Sequence, residues 1–227
     1  MTKNDIDYAF NLLDKWDEFP NYQLERRADI FFALYLPIIL NAKGIEISHD
    51  YVIPEFPLKV EGSNKSKKID YVVFCKKDKK KVYFIELKTS MKSLKNNQLK
   101  NIKEATISFH KLVSDIKEIV IASKSDKYIE FVKCLGKCLG IKELENIEKK
   151  KDIEKFNPPE ELHEKKIEII YIQPIDEKKL AGTVVITFSE IRESIKDKKG
   201  YLAKRFRVSL KAWEDRERKI YNSKRRK

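Results

Sequence analysis

The sequence predicts an α/β fold in which a mixed sheet is flanked by helices and followed by a basic helical C-terminal extension. Three observations predict it. Segments of helical and strand periodicity alternate in the order helix, three strands, helix, strand, helix, two strands and a basic end; helices set between strands favour a mixed sheet. The chain has 227 residues and 41% apolar content, enough to bury a sizeable core in one generous domain or one domain with a small appendage. The formal charge of +13 is unevenly spread: Lys196 to Lys227 holds 14 Lys and Arg against 4 Asp and Glu, a net of +10. Such an excess favours a polyanionic partner, nucleic acid before an anionic membrane surface, although solvated lysines also serve solubility.

The elements follow in order. Residues 4–17 carry Ile6, Phe10, Leu13 and Trp16 at helical spacing, with Pro20 ending the helix. Residues 22–43 form a second helix with Leu24, Ala28, Phe31, Phe32, Tyr35 and Leu36 inward; Pro37 is expected to kink or end it, and Gly44 to stop it. "DYVIPEFPLKV" is strand-like but interrupted by Pro54 and Pro57, which predicts an edge strand. "KIDYVVFC" and "KVYFIELK" are apolar runs rich in β-branched and aromatic residues, and the polar "KKDKKK" between them predicts an antiparallel hairpin. Residues 91–113 return to helical spacing through Leu94, Leu99, Ile102, Ala105, Ile107, Phe109 and Leu112. "KEIVIAS" then reads as a buried strand, and "DKYIEFVKCLGKCLG" as a helix ending at Gly140. Residues 141–166, highly charged and containing Pro158 and Pro159, read as a solvated excursion; "KIEIIYIQP" and "GTVVITFSEI" read as strands. From Glu190 the pattern is helical, broken at Gly200 and anchored by Leu202, Phe206, Leu210 and Trp213. The domain reading is therefore an α/β domain over 1–190, with a core at about 22–122 and an excursion at about 141–166, and a basic helical tail over 191–227.

Several classes are disfavoured. The N-terminus lacks an apolar signal stretch, and "IFFALYLPIIL" has about half the ~20 residues a membrane span needs. A cytoplasmic protein with no membrane partner is expected. Cys75, Cys134 and Cys138 are odd in number and lack a paired CxxC, as suits reduced thiols. His49, His110 and His163 fall in no H-x-H or H-E-x-x-H setting and read as surface or packed histidines. Six glycines with no Gly-rich phosphate loop argue against a nucleotide-binding fold, and no G-x-S-x-G or Cys–His pattern suggests acyl transfer.

The informative stretch is "KKKVYFIELKTSMKSLKNNQ". E-x-K occurs five times, at Glu86, Glu148, Glu164, Glu177 and Glu217, but only Glu86 follows an apolar strand; the other four read as solvated surface. If the hairpin is centred near Asp78, residue i faces residue 156 − i, so Asp70 faces Glu86. Directly opposed residues lie about 4.5–5.5 Å apart at Cβ. Alternation puts Lys88 on the face of Glu86. Two opposed carboxylates in apolar surroundings need a shared proton or a cation, and a hard divalent cation suits oxygen ligands. The competing reading is a surface hairpin whose charges are satisfied by Lys68 and Lys88. The residues alone leave both open.

Ile69-Asp70, a short hairpin and then Glu86-Leu87-Lys88 resemble the signature of the PD-(D/E)xK nuclease superfamily, the restriction-endonuclease-like fold. The superfamily core, αβββαβ, is similar to the element order read over residues 22–122. The resemblance implies a restriction-endonuclease-like core in which Asp70 and Glu86 ligate Mg²⁺, with Mn²⁺ a usual substitute, and the Leu87 carbonyl is a third ligand. It implies that Lys88 positions or deprotonates the attacking water and stabilises charge at phosphorus. Glu25 in "QLERRAD" sits where members often carry a helix glutamate, and Gln98 in "SLKNNQ" where many carry a glutamine. Asp29, one helical turn beyond Glu25, ranks below it. The proline before the aspartate is replaced by Ile69, and no Tyr follows Gln98 at the spacing of some branches. The implied function is Mg²⁺-dependent hydrolysis of phosphodiester bonds in nucleic acid, DNA favoured, with a homodimer left open. The alternatives are a nucleic-acid-binding protein on the same fold that no longer cleaves, and a protein-binding module whose hairpin charges are structural. Lys204, Arg205 and Arg207, interleaved with Phe206 and Trp213 in the basic tail, are the candidate phosphate contacts.

Overall fold

A computed structural model describes residues 2–19, 22–59, 67–75, 77–93, 102, 108–177 and 182–225. Its helices are α1 (Lys3–Trp16), α2 (Leu24–Asn41), α3 (Phe109–Ala122), α4 (Lys127–Leu139), α5 (Lys142–Glu145), α6 (Lys150–Lys155), α7 (Phe188–Ser194) and α8 (Tyr201–Arg225). The strands are β1 (Val52–Leu58), β2 (Lys67–Phe74), β3 (Lys81–Leu87), β4 (Lys166–Gln173) and β5 (Val184–Thr187). They form a five-stranded mixed sheet in the order β1-β2-β3-β4-β5, with β1, β2 and β3 antiparallel and β4 parallel to β5. The α/β class and the mixed sheet flanked by helices are therefore as the sequence predicts.

The chain divides into two compact units. The first comprises 1–46, 87–95 and 170–227, the second 47–86 and 96–169.

In the first unit α1 is closed by a capping box, with the Thr2 side chain accepting from the Asp5 N–H while the Asp5 carboxylate accepts from the Thr2 N–H. On α2 the buried residues Leu24, Ala28, Phe32, Tyr35, Leu36, Ile39 and Leu40 follow helical spacing. The helix does not end at Pro37 but continues to Asn41. Leu36 and Ile39 are fully buried on either side of the proline. Burying such side chains gains about 1.5–3 kcal/mol each, enough to offset the ~3 kcal/mol that an internal proline costs. Phe206 of α8 is the hub of an aromatic cluster, 5.2 Å from Phe32, 5.7 Å from Tyr35, 6.2 Å from Phe10 and 6.3 Å from Trp213. A polar layer adjoins it: Asp14 accepts from Trp213 Nε1 at 2.8 Å, Arg205 Nη2 at 2.8 Å and Ser209 Oγ at 3.0 Å.

In the second unit Phe56 of β1 packs on Phe84 of β3 and Phe131 of α4, and Phe74 on Phe109 of α3. The predicted strand "KEIVIAS" is corrected: Lys117 to Ala122 is the C-terminal part of α3. The buried positions Phe109, Leu112, Val113, Ile116 and Val120 have helical spacing, whereas Ile121 is exposed. A short β-branched run cannot distinguish strand from helix; the longer period decides. The strand that follows the post-hairpin helices is β4, so the helix–three strands–helix–strand order extends to Gln173 rather than closing near residue 122. Between them, Leu144, Ile147, Ile153, Phe156 and Leu162 are buried, and Lys117 Nζ donates to Phe156 O at 2.8 Å. The highly charged stretch thus contributes apolar anchors to this unit. Of the predicted helix over 91–113, Met91–Ser93 is a 3-10 turn and Phe109 onward is α3; Leu94, Leu99, Ala105 and Ile107 lie outside the described residues, as does Pro20.

Candidate functional site

The β2–β3 register is Tyr71↔Ile85, Val72↔Phe84, Val73↔Tyr83 and Phe74↔Val82. Each pair satisfies the predicted 156 − i rule, and the paired register ends at Tyr71↔Ile85, one residue short of Asp70 and Glu86. Within the second unit, then, β3 is buried from Val82 onward, and Glu86 shares that burial at 1% exposure, while Asp70 is partly exposed. The surface-hairpin reading assigns both Lys68 and Lys88 to these carboxylates. Instead Lys68 Nζ pairs with Glu55 at 2.6 Å on the exposed edge strand, where Glu55 has a left-handed φ of 52°. Two carboxylates, one wholly removed from water, form a hard oxygen donor set that fits a divalent cation. A buried carboxylate bears a desolvation cost of several kcal/mol, which such a cation offsets.

In the first unit, the Lys88 N–H donates to Ile172 O at 2.8 Å. Lys88 is 4% exposed. Its Nζ donates to the Leu87 carbonyl at 2.9 Å and lies 3.5 Å from Glu25 Oε1 in the first turn of α2. Glu25 and Lys88, 63 positions apart in sequence, are thus brought together as an ion pair.

After Lys88 the chain turns through Thr89 and Ser90 into the 3-10 turn Met91–Ser93. Glu217 of α8 holds this turn, its Oε2 accepting from the Met91 N–H at 2.9 Å. Sequence reasoning placed Glu217 among the solvated E-x-K glutamates; it is in fact buried at 5% exposure. The signal was present: Phe206, Leu210 and Trp213 define an apolar stripe that continues, at helical spacing, onto Glu217. Gln98 lies outside the described residues.

Of the three basic-tail candidates, Lys204 is exposed. Arg205 is engaged inside the first unit with Asp14, Asn11 and Asp7. Arg207 Nη1 donates to Lys196 O at 3.1 Å. A stripe that residue-by-residue reading missed runs along α8: Lys204, Lys211, Arg218 and Arg225 recur every seven residues and are all exposed. Two turns of helix separate successive members, so they share one face, drifting by only about 20° per step. Lys211 pairs with Asp215 in a surface contact that a stronger anion displaces at little cost, whereas Arg218 pairs with the buried Glu214.

Among the described residues no helix is long and apolar enough to cross a membrane. No family model, curated protein or solved structure gave a significant match to this chain.

Proposed function

We propose that the protein is a Mg²⁺-dependent nuclease of the PD-(D/E)xK kind, hydrolysing phosphodiester bonds of nucleic acid, DNA favoured. What supports the reading is the β2–β3 register, which runs up to Tyr71↔Ile85 and, carried one residue further, would set Asp70 against a buried Glu86, two residues before a buried lysine. Burial of charge at a strand end costs stability, and structural charges seldom take that position. Asp70, Glu86 and the Leu87 carbonyl would hold the cation. When bound it supplies Lewis-acid polarisation of the scissile phosphate and a lowered pKa for water. Lys88 Nζ donates a proton in a hydrogen bond to a non-bridging phosphate oxygen and offsets the charge that develops there. Glu25 orients that ammonium, and Glu217 fixes the turn that follows it. Lys204 and the α8 stripe bind the phosphate backbone without reading sequence.

The test is cleavage of labelled single- and double-stranded DNA and RNA with Mg²⁺, Mn²⁺ or EDTA, beside Asp70→Ala and Lys88→Ala. The reading expects cutting of at least one substrate, loss in EDTA and loss in both variants. Binding that weakens with salt but is never accompanied by cutting would favour the non-cleaving DNA-binding reading. Variants that cut like the parent would remove these residues from the site.

A further inference from the structure

We propose that the second unit carries a Zn²⁺ site formed by His110, Glu160 and His163. Their ligand atoms all lie within 4.8 Å of one another. Zinc bonds of about 2.0–2.2 Å in tetrahedral geometry require donor atoms only slightly more than 3 Å apart. His163 Nε2 and Glu160 Oε2 already stand at 3.5 Å. Rotation of the exposed His163 and Glu160 side chains toward the partly buried His110 closes the remainder.

The rings are also oriented. His110 Nε2 lies 3.0 Å from the Pro158 carbonyl. A carbonyl only accepts, so Nε2 carries the proton and Nδ1 carries the lone pair. An imidazole whose second nitrogen donates to a backbone carbonyl is the arrangement that metal-ligating histidines show. His163 Nδ1 faces Ser108 Oγ at 3.4 Å, which leaves Nε2 on the side of Glu160. The two imidazoles stand face to face, 4.1 Å apart and inclined by 15°; a metal lies in the plane of each ring that ligates it, so the exposed His163 ring turns out of this stack to bind. The sequence explains the convergence. Glu160 and His163 are three residues apart on the 3-10 turn Glu160–Glu164, where that spacing puts side chains on one edge. His110 lies in the first turn of α3, which Ser108 caps by accepting from the Lys111 N–H.

The donor set selects the metal. Two imidazoles and one carboxylate suit zinc, whereas magnesium requires oxygen ligands. Three protein ligands leave a fourth position for water. With the Glu160 side chain 90% exposed and that of His163 51% exposed, the site is open to solvent. Its affinity is limited by the entropy of ordering two free side chains. Bound zinc would staple the 3-10 turn to the start of α3.

The experiment uses the full chain carrying Cys134→Ser and Cys138→Ser, so that thiols cannot take the metal. Saturating Mg²⁺ is present, so that the Asp70–Glu86 oxygens are not counted. Zn²⁺ is titrated by calorimetry and Co²⁺ by visible absorption. The expected result is one Zn²⁺ per chain, a cobalt d–d band without thiolate charge transfer, and a thermal midpoint raised by Zn²⁺. His163→Ala and, separately, Glu160→Gln weaken binding at least ~10-fold. Both positions are exposed, so neither change threatens folding, and circular dichroism checks this. Absence of zinc binding, or variants that bind as tightly as the parent, would overturn the site. Neither result depends on whether the protein cleaves nucleic acid.

Discussion

The proposed cation site makes a residue-scale prediction at the buried Glu86. Glu86→Gln keeps the shape and removes the charge. Its thermal midpoint should lose the rise that Mg²⁺ gives the parent. Its Mg²⁺-dependent cleavage should fall by about 10³-fold, the several kcal/mol a catalytic cation supplies. Thermal melts and turnover on one preparation test both halves; a variant that loses stability and keeps activity would mean that Glu86 is structural. A second residue-scale consequence lies at Cys134 on α4. The adjoining Cys138 thiol, which also lies 3.6 Å from the Asp50 carbonyl, offers its S–H to Cys134, and with nearby Lys137 this outweighs desolvation and lowers the Cys134 thiol to about 7. The donor, Cys138, is correspondingly raised. A lowered pKa means that the thiolate forms at lower pH, so alkylation of Cys134 should rise with pH through about 7. In Cys138→Ala the donor is gone, and the rise should move to higher pH. Mass-spectrometric alkylation rates across pH check this, and an unmoved profile would refute the hydrogen-bond origin.

Among the elements, the ones with a long, clean period were legible and the ones decided by competing signals were not. α4 and its left-handed Gly140 cap follow the sequence prediction, and the β2–β3 register follows from one polar turn and two apolar runs. "GTVVITFSEI" was read as one strand, yet β5 stops at Thr187 and α7 begins at Phe188. The missed signal is a capping box: Thr187 Oγ1 accepts from the Glu190 N–H, and the Glu190 carboxylate accepts from the Thr187 N–H at 2.7 Å. Burial works against the charge on Glu190, but Lys43 and the Thr187 donors hold its carboxyl below the usual range. Thr187→Ala should therefore cost about 1 kcal/mol in chemical denaturation. α5 illustrates what no period reveals. A Cβ on Gly136 of α4 would meet Glu145 N at 2.6 Å and Leu144 Cβ at 2.7 Å, because α5 packs directly on the helix backbone there. Gly136→Ala ought to gain helix propensity yet lose about 1–3 kcal/mol net through overpacking. Urea midpoints decide it, and a more stable variant would show that α5 yields freely.

At the scale of the whole molecule, the β2–β3 register on which the proposed Asp70, Glu86 and Lys88 site rests was readable because a strand hairpin obeys a register that sequence alone can count. Glu217 was not, because its role comes from α8 meeting a backbone N–H 126 positions away in sequence. The net charge of +13 was readable as a quantity, but its arrangement was not, since Arg205 turns inward to Asp14 while Lys204 and Lys211 of the same helix stay outside. Only outward cations release counterions when they meet phosphate. The four-residue stripe runs from Lys204 to Arg225, 21 steps along α8 and about 32 Å of helix axis at ~1.5 Å per residue. If each member neutralises one phosphate, a duplex-binding plot of log K against log salt contains about −0.9 per contact from this stripe. Converting Lys204, Lys211, Arg218 and Arg225 to Gln should flatten that slope by about 3–4, and Arg205→Gln should leave the slope alone while lowering stability, since it breaks the Asp14 layer. The comparison separates phosphate binding from folding, because the two changes remove charge from the same helix but from opposite sides of it. An unchanged slope in the four-fold variant would place the nucleic-acid contacts elsewhere on the chain, and a flattened slope with Arg205→Gln would mean that the internal pair opens on binding.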